Sequence, residues 1–264
     1  MDILDKLYAA KKTVREADER REPLAAVRER AALRCPERRS FLRALTAARG
    51  PAIIAEIKRA SPSVGLIVRE IDPAAIARSY ASAGADAVSV LTEADHFLGD
   101  LAYLDVSRTA VTLPILRKDF LSTPYEVAQS AAYGADAVLA IVAGLSDAQI
   151  AAMLGEAERF ALDVLVEVHD EDQLRRAVAA GATLLGINNR DLRTFETNLA
   201  VTEELLPLVP SGIVAISESG VRTQEDTTWL SRAGARGFLV GESLMRSDDK
   251  AGMIRALKGV SVPV

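Results

Sequence analysis

Cysteine is almost missing from the 264-residue chain, where Cys35 is the only thiol. That excludes a disulfide framework, fits a reducing compartment and leads us to expect a cytoplasmic protein. Histidine is nearly as scarce. His96 and His169 stand far apart, with no cysteine cluster to join them, so no metal site is expected and neither is assigned a role. Long apolar runs are missing too; Leu205–Ser217, about the longest uncharged stretch, holds two prolines and is too short for a membrane span. Met1–Arg20 mixes acids with bases and lacks an apolar segment, which argues against a signal peptide. Nor is there an excess of base: 32 Lys+Arg against 37 Asp+Glu leave a net charge of −5. Neither nucleic acid nor membrane is therefore an expected partner.

What the chain does have is apolar content, 49% of residues, enough for one large core. Its charge is unevenly placed: residues 1–50 carry 13 basic and 8 acidic groups, the remainder 19 and 29. The first fifty residues have helical periodicity and no Gly/Ser linker follows them, so they read as a helical cap on a single domain, 1–264. The Arg28–Arg43 run reads as a solvated helix face.

A repeat organises the rest. Ala83-Gly-Ala-Asp-Ala-Val-Ser-Val-Leu91, Tyr133-Gly-Ala-Asp-Ala-Val-Leu-Ala-Ile141, Ala180-Gly-Ala-Thr-Leu-Leu-Gly-Ile187 and Ala233-Gly-Ala-Arg-Gly-Phe-Leu-Val-Gly241 are alike. In each, a glycine ends an Ala-rich amphipathic stretch in the manner of a helix C-terminus, and a short apolar run follows. Continuous rather than alternating runs, such as Ala87–Leu91 and Ala137–Val142, are the pattern of strands buried on both faces of a parallel sheet. Ala52–Lys58, Pro114–Lys118, Val164–Val168 and Ile213–Ser217 share that character and bring the count to eight. Helix starts are marked by Asp72-Pro73 and Thr123-Pro124, and by the capping-box spacings Ser146…Gln149 and Thr223…Asp226. Eight parallel strands lose their edges by closing, and the competing open doubly wound sheet lacks its G-x-G-x-x-G turn. The expected fold is an α/β (β/α)8 TIM barrel, 51–264, with an N-terminal helical extension, 1–50.

In such a barrel the chemistry sits at the C-terminal ends of the strands. Glu56 and Lys58 fall there at i and i+2, so both can face the barrel mouth. With Lys118, Glu167 and Glu218 they place three carboxylates and two ammonium groups in one pocket, a mixture suited to acid–base work. Ser217-Glu-Ser-Gly220 and Val240-Gly-Glu-Ser243 end the last two strands, where barrels often hold phosphate on backbone N–H groups and hydroxyls. A small phosphorylated molecule is the expected ligand. Trp229 reads as packing and Cys35 as incidental.

The segments Ile53-Ile-Ala-Glu-Ile-Lys-Arg-Ala-Ser-Pro-Ser63, Leu116-Arg-Lys-Asp-Phe120, Val166-Glu-Val-His169, Gly186-Ile-Asn-Asn-Arg-Asp-Leu192 and Ile216-Ser-Glu-Ser-Gly220 together resemble the indole-3-glycerol-phosphate synthase family, over essentially the whole chain. The resemblance implies a cofactor-free carboxy-lyase of tryptophan biosynthesis that closes the indole ring with loss of CO₂ and water. It assigns Lys118 as general acid toward the ketone oxygen and Glu167 as acid–base partner in dehydration. Glu56 and Lys58 match the strand-one pair, Asn188 and Glu218 polar supports, and Arg190 the arginine after the asparagine. Ser61, Ser219, Gly220, Gly241 and Ser243 match substrate- or phosphate-loop positions, and Phe97 the aromatic that packs on the anthranilate ring. The sequence departs from the common pattern at Val64, where lysine is frequent, and at Asp100, where serine is common.

Two alternatives remain beside this reading. Phosphoribosylanthranilate isomerase is another phosphate-binding barrel, but its chemistry favours a Cys/Asp pair and Cys35 precedes the barrel. A non-catalytic phosphate sensor needs the Gly/Ser turns but not Lys118, Glu167 and Glu56 together. A monomer is expected, with weak homo-oligomerisation open. The cap, preceding a complete set of strands, is expected to serve substrate cover rather than folding.

Overall fold

The structure, a computed structural model, describes residues 3–191 and 194–259; Leu192 of the quoted motifs falls outside them. Eight parallel strands close into a barrel: β1 (Ala52–Ile57), β2 (Ala87–Leu91), β3 (Ile115–Lys118), β4 (Ala137–Ile141), β5 (Asp163–Val168), β6 (Leu184–Asn188), β7 (Val214–Glu218) and β8 (Gly237–Val240). β8 pairs back on β1, in register Ala52↔Gly237, so no strand has a free edge. The helices are α1 (Ile3–Arg21), α2 (Leu24–Arg34), α3 (Phe41–Ala47), α4 (Pro73–Ser82), α5 (Ala102–Ala110), α6 (Pro124–Ala132), α7 (Asp147–Arg159), α8 (Glu171–Ala179), α9 (Ala200–Leu205), α10 (Gln224–Ala233), α11 (Glu242–Arg246) and α12 (Lys250–Leu257).

The repeated Gly-Ala-Asp has a structural purpose in both halves. Gly84 and Gly134 take φ of 91° and 84° to end α4 and α6, a region costly for any side chain. The aspartate two residues later accepts a backbone N–H from the start of the preceding strand: Asp86 from Ile53 at 2.8 Å, Asp136 from Ile115 at 2.9 Å. Asp72 caps α4, and both predicted capping boxes form at Ser146 and Thr223. Thr123 does not cap α6; its hydroxyl donates to Glu126 instead.

Two cores result. Helices pack on the outer strand faces, while Ile54, Leu116, Leu165, Leu184, Ile216 and Leu239 fill the barrel interior. On β1, β3, β5 and β7 the inward position two residues further along carries Glu56, Lys118, Glu167 and Glu218, so the pleat stacks these catalytic candidates on the interior column.

The first fifty residues are not one cap. α1 lies over the C-terminal ends of β3 and β4, held by Lys11 on Asp119, Arg15 on Ser122 and the Tyr8 ring edge-on to Phe120. α2 packs along α6. α3 plugs the opposite end, where Phe41 and Leu45, both fully buried, complete the interior core. The arginine run corrects the expectation of a solvated face. Arg28 pairs with Glu156, while Arg38 and Arg39 donate to the carbonyls of Ala131, Ala135, Val111 and Leu113 at the lower rim. Carbonyls at helix ends need such donors. Trp229 is likewise corrected: it is 38% exposed and its indole N–H bonds Glu203.

Candidate active site

A cavity of about 510 Å³ opens at the C-terminal end of the barrel. Its lining includes twelve of the thirteen residues singled out above: Glu56, Lys58, Phe97, Lys118, Glu167, Asn188, Arg190, Glu218, Ser219, Gly220, Gly241 and Ser243. Ser61 is the exception. It is buried in a short hairpin (Ala60–Ser61 with Gly65–Leu66), its hydroxyl 3.3 Å from that of Ser63, which in turn accepts from Arg190 across the mouth.

The floor is a charge cluster around Lys118. Its Nζ lies 2.8 Å from Glu167 Oε2 and 3.2 Å from Glu218 Oε2. Glu167 Oε1 also accepts from Asn188 Nδ2 at 3.1 Å, and Lys58 pairs with Glu56 at 2.8 Å. Burial works against the Lys118 ammonium, but Glu167, Glu218 and Glu56 outweigh it and hold its pKa above the ordinary lysine value. Burial pushes Glu167 up as well, yet Lys118, His169 and the Asn188 hydrogen bond bring it down to about 2. For Glu218 burial wins over Lys118, and with Glu167 and Glu56 nearby its carboxyl is pushed up to about 8. The two carboxyls on one ammonium are thus pushed in opposite directions, Glu167 toward its ionised form and Glu218 toward its protonated form, the arrangement from which acid and base roles separate.

Two glycines make this packing possible. A methyl at Gly186 would fall on Glu218 Oε1, and one at Gly241 would fall on Glu56 Oε1. Gly241 therefore leaves room for the Glu56–Lys58 pair.

Above the charges stands an apolar wall. Phe97 and Phe120 lie with centroids 5.9 Å apart, flanked by Leu139 and Ile141. Phe97 is set by Glu93, whose carboxylate accepts the backbone N–H groups of His96 and Phe97 at 2.8 and 2.9 Å. Asp100 caps the start of α5 through Ala102 N–H, and Val64 sits half-exposed at the hairpin turn. Across the mouth, Ser219 and Gly220 both adopt left-handed φ, 65° and 88°. Asn189 fixes the turn by donating to Ser217 Oγ and to the carbonyls of Glu218 and Ser219.

Sequence reasoning missed Phe120, Leu139, Arg222 and Arg246 in the lining. The two arginines had a signal, each lying two or three residues beyond Gly220 or Ser243. It also passed over His169, whose Nε2 lies 3.5 Å from Glu167 Oε1.

A family model of indole-3-glycerol phosphate synthase matches residues 4–257. The chain is 45% identical over 267 residues to the indole-3-glycerol phosphate synthase of Roseiflexus sp. (strain RS-1), covering 98% of this chain and 99% of that protein. The like-named protein of Azospirillum brasilense is 45% identical over 259 residues, 97% of this chain and 98% of its own. A solved structure of 3-hexulose-6-phosphate synthase from Salmonella typhimurium superposes with a TM-score of 0.65, covering 79% of this chain and 97% of that one. At 14% identity that likeness speaks to the fold alone.

Proposed function

The chain belongs to the indole-3-glycerol phosphate synthase family, and from that premise we propose how its own residues carry the family's reaction. The reaction is a carboxy-lyase step of tryptophan biosynthesis: 1-(2-carboxyphenylamino)-1-deoxyribulose 5-phosphate closes its ring, loses CO₂ and water, and leaves as indole-3-glycerol phosphate. In our reading Lys118 gives its proton to the ketone oxygen as the carboxylate-bearing ring carbon attacks. That carbon then loses CO₂ and the five-membered ring keeps a hydroxyl. Glu167 takes the proton from the adjacent carbon as the C–O bond breaks and the hydroxyl, protonated by solvent in the cavity, departs as water; the indole is then complete and Lys118 regains its proton from solvent.

The other residues hold the substrate in that geometry. Phe97, Phe120 and Leu139 pack on the anthranilate ring, and Lys58, tied to Glu56, meets the substrate carboxylate. Asn188 and Glu218 orient Glu167 and Lys118. The Ser219-Gly220 turn and Ser243 take the phosphate, with Arg190, Arg222 and Arg246 near the rim, while Gly241 makes room for the Glu56–Lys58 pair. Phosphate binding is remote from the reacting carbons and can hold a bent, reactive shape. The observation that carries the reading is Lys118 held between Glu167 and Glu218, at 2.8 and 3.2 Å, in a largely buried floor. A monomer acting in the cytoplasm completes the proposal, supported by the single thiol, half-buried Cys35. Among the described residues no helix is long and apolar enough to cross a membrane.

The test is incubation with the carboxyphenylamino-deoxyribulose phosphate, following indole fluorescence. Wild-type protein should form product and Lys118→Met should bind the substrate and leave it unchanged. Normal turnover by a folded Lys118→Met would refute the assignment.

A further inference from the structure

His169 stands two residues after Glu167, on the same side of β5, and the hydrogen bonds around its ring fix which nitrogen carries the proton. Gln173 Nε2 donates to Asp170 Oδ2 at 2.8 Å, which sets the side-chain amide so that its oxygen faces His169. That oxygen accepts from the His169 backbone N–H and lies 3.1 Å from ring Nδ1. Nδ1 is therefore a donor, and in the neutral ring Nε2 is a bare acceptor. Nε2 is buried, has no hydrogen-bond partner, and lies 3.5 Å from Glu167 Oε1.

Two acceptors face each other across that gap. Glu167 Oε1 already accepts from Asn188, and Lys118 occupies the other carboxylate oxygen. The Glu167–His169 contact is favourable only when one proton lies between them.

We propose that His169 is the proton partner of Glu167: when Glu167 removes the ring proton during dehydration, His169 Nε2 receives it and Glu167 returns to its carboxylate form. This rests on the reading of Glu167 as the base. The step balances. The C–H bond breaks and its electron pair forms the ring double bond as the C–O bond breaks and the hydroxyl leaves as water with a solvent proton; the abstracted proton passes from the Glu167 carboxyl to Nε2, giving an imidazolium whose Nδ1–H stays on Gln173. The proton stays on the buried Nε2 until the product leaves, and then passes back through Glu167 to water entering the cavity that Glu167 lines. His169 acts through Glu167 and is a positioning residue.

The experiment compares single-turnover rates and substrate dissociation constants for wild type, His169→Ala, His169→Gln and Glu167→Gln. Both His169 variants should slow the chemical step by roughly tenfold to a hundredfold, less than the ~10²–10⁴ expected for losing the base. Substrate affinity should stay within about twofold, because His169 holds none of the proposed phosphate turns. Added imidazole should restore several-fold of the rate in His169→Ala and none in Glu167→Gln. His169→Gln keeps a polar side chain, so it covers the case in which the alanine variant does not fold. A chemical step within twofold of wild type in a folded His169 variant overturns the proposal, as does a slowed His169→Ala that imidazole leaves unchanged. If Glu167→Gln itself turns over normally, the reading of Glu167 as base falls, and this inference with it. If Glu167→Gln is inactive while His169→Ala is normal, only the inference falls.

Discussion

Gly241→Ala should damage catalysis while sparing phosphate affinity. Gly241 has φ −122°, outside the left-handed region, so an added methyl meets no left-handed strain. Its cost comes from what fills the space: Glu56 Oε1 inside contact distance, Glu56 Cδ at 2.9 Å and Lys58 Nζ at 3.1 Å. Normal contact returns only if the carboxylate moves by roughly 1 Å, and a displacement of that size at a reacting centre costs ~10²-fold in rate. Stability should fall by about 1–3 kcal/mol, typical of an extra methyl forced into a packed site. Gly220→Ala should fail differently. Its φ of +88° adds about 1–2 kcal/mol of backbone strain, and its methyl would sit 2.6 Å from Thr197 Cγ2. The turn itself would shift, and affinity for indole-3-glycerol phosphate should drop about tenfold, equal to about 1.4 kcal/mol. Steady-state kcat from indole fluorescence and product titration separate the two. If Gly241→Ala keeps its kcat and loses product affinity, the glycine serves the phosphate and the packing argument is wrong.

Glu218 sets a pH dependence of stability. Its folded pKa is raised to about 8, so its favourable contribution is complete below the ordinary glutamate value and is lost as pH rises through about 8. Glu218→Gln should remove that loss, and urea midpoints at pH 6 and pH 9 should lie closer together than in wild type; equal spacing would contradict the assignment. Arg117 is fully buried, pairs with Asp119 at 3.0 Å and donates to Thr92, Gln129 and Ser130. Arg117→Leu leaves these partners unsatisfied and should cost about 3–5 kcal/mol, read as a Tm lowered by roughly 10 °C; a loss below ~1 kcal/mol would show the network to be idle. Removing residues 1–21 should leave a folded barrel with slower turnover, since Lys11 anchors Asp119 beside Lys118. Removing residues 1–50 should abolish folding, because Phe41 and Leu45 leave the interior core; circular dichroism and turnover check both deletions.

The barrel was legible because its signals are local. Gly-Ala-Asp marks a helix end, a strand start and a register contact within four residues, and the chain writes Gly-Ala at this junction four times. The catalytic floor was legible for a similar reason: strand periodicity alone carries Ile54 to Glu56, Leu116 to Lys118, and Ile216 to Glu218 along the interior column. The same periodicity joins Glu167 to His169, but a histidine read only against metal-site spacing loses that link. The arginines near residues 28–43 were misread because their partners are carbonyls and carboxylates remote in sequence, such as Glu156 and Ala135. Gly186 and Gly241 posed the same difficulty. What each makes room for lies on a neighbouring strand or across the closure of the barrel, and no local pattern records it.

The central claim is that the Lys118 ammonium drives ring closure, and its most direct test is a single-turnover measurement on Lys118→Met. Methionine keeps the stem's bulk and removes the proton and charge that Glu167 and Glu218 now flank. The account predicts a variant that binds indole-3-glycerol phosphate as wild type does, with conversion slowed by ~10²–10⁴ or more. Conversion within tenfold of wild type, in a folded protein that binds product normally, would contradict it.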